Sequence, residues 1–82
     1  MTDSVWVVIP HHSRRDLLTR AIQSVKGLPL LVVDDSPLGG LSCPEADAVL
    51  RTQGEEGFAR ACNAGLQQAE TLGAQWVLVL ND

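Results

Sequence analysis

Apolar residues along this chain come in two textures, short unbroken runs and helically spaced sets, and the two alternate. Val5 to Ile9 (VWVVI) is a β-branched and aromatic run closed by Pro10, and it predicts a buried strand. Ser13, with Asp16 three residues on, forms a variant capping box. Leu17, Leu18, Ala21, Ile22 and Val25 then share one helical stripe that Gly27 ends. Leu30 to Asp34 is a second strand. Its Leu-Leu-Val-Val does not alternate with polar residues, so both faces are expected to be covered. Residues 36 to 46, SPLGGLSCPEA, hold the prolines, adjacent glycines and serines of a loop. Asp47 to Arg51 is a shorter strand candidate. Phe58, Cys62, Leu66, Ala69 and Leu72 return to helical spacing and are expected to form the buried face of a helix that Gly73 ends. Trp76 to Leu80 (WVLVL) is the last strand.

The order β-α-β-loop-β-α-β predicts an α/β fold. Its expected form is a Rossmann-like parallel sheet of about four strands in the order 3-2-1-4, with helices on its faces and right-handed crossovers. Eighty-two residues make a single domain, 1–82. Hydrophobic residues at 45% and charged residues at 20% are ordinary for a globular chain and exclude disorder. A net charge of −4 leaves no basic footprint for nucleic acid, and six Lys and Arg are too few for an anionic membrane surface. No apolar run approaches the ~20 residues of a membrane span, and no signal-peptide pattern opens the chain. Cys43 and Cys62 lack metal-ligand spacing and read as reduced thiols, which points to a cytoplasmic protein.

The polar residues gather where the strands end. Strand one runs into His11, His12 and Ser13, strand two into Asp34 and Asp35, strand four into Asn81 and Asp82. In open α/β sheets, ligands bind beyond the carboxyl ends of the strands, where strand order reverses. In a 3-2-1-4 sheet that point lies between strands one and four. Asp82 is then expected beside His11, with Asp35 one strand away. A single strand-end aspartate commonly caps a loop or a helix start. Acids at two strand ends of one edge repel each other unless a cation or hydrogen-bond donors offset their charge.

Two kinds of protein carry a stretch like LLVVDDSP. Receiver domains have an acidic pair at a strand end, and QGEEGFA and WVLVLND echo their later segments. Receivers, however, place a full helix directly after the pair, where PLGGLSCP cannot form one. That reading would also leave the β-α unit of Val5 to Lys26 unexplained. The second resemblance covers the whole chain. VWVVIPHHSRRDLLTRAIQSV resembles the opening of family 2 glycosyltransferases of the GT-A fold, some version of VSVVIPTYNR followed by LL..AI.SV. LLVVDDS resembles their second strand and aspartate pair. GFARACNAGLQQA followed by GAQWVLVLND resembles their GFA..NN.G segment and the strand entering a DxD-type metal motif. Four motifs in order make the match specific. A receiver-like phosphoacceptor domain and a vestigial non-catalytic fragment stand as the alternatives.

The resemblance implies a nucleotide-diphosphate-sugar ligand, with Pro10 and His11 lining the nucleotide pocket and Asp35 accepting hydrogen bonds from the base. Asp34 beside it carries a more structural role, and Asn63 is a further candidate. Asn81 contacts ribose and Asp82 holds Mn²⁺ or Mg²⁺. The sequence departs from the family at His12 and Ser13, which replace Tyr-Asn. It departs again at Gln53 and Glu56, where an Asn is usual, and at Cys62. Because the chain stops at Asp82, inside the acidic motif, it is expected to be the N-terminal, nucleotide-binding portion of a GT-A domain and inactive alone. It is also expected to form a homo-oligomer through an exposed, apolar fourth strand.

Overall fold

The structure is a computed structural model that describes residues 4–81. Its elements run β1 (Val5–His11), α1 (Arg15–Ser24), β2 (Leu30–Asp34), β3 (Ala48–Arg51), α2 (Phe58–Thr71) and β4 (Trp76–Val79). All four strands are parallel, in the order β3-β2-β1-β4, as the alternation of runs and stripes predicts. A right-handed crossover that steps one way along the sheet lays its helix on one face. The crossover back past β1 to β4 lays its helix on the other.

Two core layers result. Val7, Ile9, Leu30, Val32 and Cys43 pack with Leu18 of α1. Val8, Leu31 and Val33 pack with Ala61 and Ala69 of α2. Residues from both sides of β1 and β2 are buried, which is why these strands show no polar alternation. The loop beyond β2 is tied back at Asp47, whose carboxylate accepts from the Leu30 N–H at 2.7 Å. Asp47 is therefore a clamp on the start of β2, one residue ahead of β3.

Pro10 does not close β1. It lies inside the strand, opposite Val33, and pairing continues to His11 opposite Asp34. The geometry explains why it is tolerated. Val7 and His11 exchange hydrogen bonds with the β2 side, whereas Val8 accepts from Leu80 on the β4 side. Position 10 therefore turns its missing N–H toward β4, and the β1–β4 register ends at Val8 opposite Val79. The capping box at Ser13 is also absent. Helix α1 starts after Arg14 without a side-chain cap, and the Asp16 carboxylate is held instead by the Arg14 guanidinium at 2.8 and 3.0 Å.

The larger correction concerns α2. Phe58, Leu66 and Leu72, expected in its core, are exposed, and the buried stripe is Ala61, Gly65 and Ala69. Small residues at i, i+4 and i+8 let the helix backbone settle onto the valines of the sheet. A Cβ at Gly65 would lie 2.5 Å from Val8 Cγ1 and 2.9 Å from Val33 Cγ2. At the far edge β4 presents Trp76 (63% exposed), Leu78 and Val79 to solvent, so an apolar sheet edge of the expected kind is present.

Gly65→Ala decides how close this approach is. Alanine is favoured over glycine in a helix by about 1 kcal/mol, but overpacking a tight core costs about 1–3 kcal/mol. A net loss of unfolding free energy in urea is expected. Equal or greater stability would mean that α2 rides higher on the sheet.

Candidate functional site

The pleat of β2 decides what its two aspartates do. Successive side chains in a strand point to opposite faces, so Asp34 turns to the α1 side and Asp35 to the α2 side. Both are buried, and each is satisfied by a different loop. Asp34 Oδ1 accepts from the Ser36 hydroxyl at 2.6 Å and the Ser36 N–H at 3.1 Å, and Oδ2 accepts from the Leu41 N–H at 3.3 Å. It organises the 36–41 loop. The Arg51 guanidinium lies beside it and donates to the carbonyls of Asp34 and Ser36 at 3.0 and 2.7 Å.

Asp35 organises the segment that leads into α2. Its Oδ1 accepts from the Thr52 hydroxyl at 2.6 Å and the Glu56 N–H at 2.9 Å, and its Oδ2 from the Gly57 N–H at 3.0 Å. Its own carbonyl accepts from the Glu55 N–H at 2.9 Å. The turn bends sharply around this anchor. Gly54 has φ +97°, and a Cβ there would come within 2.9 Å of Arg51 Nη2 and 3.1 Å of the Ser36 carbonyl. Glu55 is held in the left-handed region at φ 51° and reaches across to His12, Nε2 to Oε1 3.4 Å. Since Gly57 supplies no side-chain cap, the Asp35 carboxylate serves as a remote cap on α2, at the end where negative charge is stabilised.

A crevice of about 280 Å³ opens above this anchor. It is lined by Pro10, His11, His12, Asp35, Gly57, Phe58, Ala61 and Asn81. The residues come from the carboxyl ends of β1 and β2, the residues after β4 and the first turn of α2, so the crevice sits where strand order reverses. Four of the residues chosen from sequence, Pro10, His11, Asp35 and Asn81, meet there. Asp34 faces the opposite layer. Asn63 is exposed on α2, two positions past Ala61 and so on the far side of the helix, and does not line the crevice. Asp82 lies outside the described residues. A second hollow of about 330 Å³, lined by Ile22, Val25, Leu28 and Leu30 among others, lies toward the start of β2 and gathers none of these residues.

His12, Gly57, Phe58 and Ala61 complete the lining. Phe58 was expected in the core. The competing small-residue stripe of Ala61, Gly65 and Ala69 is the sequence signal that turns it out toward the strand ends. Among the described residues no group of three or more His, Cys, Asp or Glu side chains could hold a metal ion. Burial pushes the thiols of Cys43 and Cys62 up, which favours the protonated form over the nucleophilic thiolate. No described helix is long and apolar enough to cross a membrane. Comparison with protein-family models, with curated proteins and with solved structures finds no match for the chain.

The two carboxylates make stability depend on pH. Burial pushes both upward, but the Ser36 and Leu41 donors and Arg51 at Asp34 outweigh it, as do the Thr52, Glu56 and Gly57 donors and His12 at Asp35. Both carboxyls end below their ordinary value. A lowered folded-state pKa contributes stability above the unfolded value, about 3.9, that is lost as pH falls through the folded values. Unfolding free energy is therefore expected to fall steeply below about pH 4. Asp35→Asn should be less stable at pH 7 by about 1–3 kcal/mol, because its amide N–H₂ would oppose a backbone N–H, and its decline in acid should be shallower. An acid slope equal to that of the parent chain would contradict the assignment.

Proposed function

We propose that this chain is the nucleotide-diphosphate-sugar-binding part of a glycosyltransferase of the family 2 type. The observation that supports this most is the meeting of His11, Asp35 and Asn81, from the ends of three strands, in one crevice at the reversal of strand order. The four-motif resemblance supports it as well. At about 280 Å³ the crevice falls just below the range of ligand pockets, about 300–1,000 Å³. It suits one ring of a nucleotide sugar.

The chemistry of the residues adds constraints. Asp35 sits at the positive end of α2 and accepts from the Glu56 and Gly57 N–H groups, so its charge offsets part of the attraction a diphosphate would find there. A divalent cation enters this reading only through Asp82, outside the described residues. The phosphoacceptor alternative would put its acceptor at the end of WVLVLND, at Asp82 outside the described residues, while the oxygens of the acidic pair Asp34 and Asp35 serve protein donors.

The test is an amide chemical-shift titration of the ¹⁵N-labelled chain with UDP and Mg²⁺, paired with a transfer assay using UDP- and dTDP-sugars. Shifts confined to His11, Asp35, Gly57, Phe58 and Asn81, with half-saturation near the millimolar range and no sugar released, are expected. Shifts elsewhere, or none, would refute the proposal.

A further inference from the structure

We infer that the ring-binding step at this crevice is stacking on Phe58, and that the site therefore discriminates poorly among nucleobases. The inference rests on the nucleotide reading above and extends it to how the base is held. Phe58 is the first residue of α2; it lines the crevice and is 55% exposed. An aromatic face left open beside a cleft is a platform for a planar ring. Such stacking tolerates every base, because every base has a π face. Pro10 and Ala61 add apolar surface to the same crevice.

The carboxylate of the crevice, its one fixed acceptor for a base edge, is largely spoken for. An ionised carboxylate offers about four lone-pair sites, and Asp35 already receives three protein donors while only 4% exposed. It has little left with which to select one base. His12 Nε2 lies 3.4 Å from Glu55 Oε1 in an exposed contact, and an imidazole, which can donate or accept, suits more than one base edge. Asn81 carries both a donor and an acceptor, so it can meet the edge of either a purine or a pyrimidine. Asp35 is then a positioning residue, which acts by fixing the turn that presents Phe58.

The experiment is a shift titration of the 82-residue chain with UDP, dTDP, GDP and ADP in Mg²⁺, repeated with Phe58→Ala, Phe58→Leu, Phe58→Trp and Asp35→Asn. The expected result is four dissociation constants within about threefold of one another. Phe58→Ala and Phe58→Leu should each weaken all four about tenfold, and Phe58→Trp should retain them. Leucine keeps apolar bulk without a π face, so its loss separates stacking from simple contact. Asp35→Asn should lower the melting temperature and weaken all four alike, leaving their ratios unchanged. One base favoured more than about tenfold, with that preference surviving Phe58→Ala or abolished by Asp35→Asn, would overturn this inference and leave nucleotide binding intact. No crevice shift with any nucleotide would overturn both.

Discussion

The Asp35 carboxylate, bound to two backbone amides and a hydroxyl, is the contact on which the rest of the site depends. It fixes the 52–57 turn, sets where α2 begins and closes one wall of the crevice. Removing it would take the acceptor from two amides of a part-buried turn, a cost of about 1–3 kcal/mol in all. The two acids of Asp-Asp are not a chelating pair. The two-residue period of the strand sends them into separate loops, and each offsets its own burial with local donors.

This arrangement changes what the acidic tip of β2 means. Aspartates at the carboxyl end of a parallel strand suggest a ligand, and the resemblance to glycosyltransferases assigns Asp35 to the base. The geometry gives it an internal role first, with three donors already in place. Through the Gly57 N–H it also fixes the start of α2, where Phe58 stands. The same logic applies to Arg51, a cation spent on the carbonyls of Asp34 and Ser36.

Much of the architecture was legible from the residues. Unbroken Leu-Leu-Val-Val predicted a strand covered on both sides, and the alternation of runs with stripes predicted parallel order 3-2-1-4. Where the reading missed, a tertiary partner decided. Pro10 reads as a strand end, yet its missing N–H faces the side on which β4 pairing is about to stop. Ser13 and Asp16 have cap spacing, but Arg14 captures Asp16. On α2 two stripes competed, one of large residues and one of small. Hydrophobicity favours the first, but close approach to Val8 and Val33 selects the second. The crevice was partly legible, because strand-end polar residues are visible in sequence. The exposure of Phe58 was not, since it follows from which stripe packs.

The most direct measurement is an NMR pH titration of the Asp35 side-chain carboxyl carbon, followed together with the amide protons of Glu56 and Gly57. Asp35 is expected to titrate below the ordinary carboxylate value, and both amides to shift with the same midpoint, because they bond to its oxygens. An ordinary midpoint at Asp35, with Glu56 and Gly57 indifferent to it, would contradict the account.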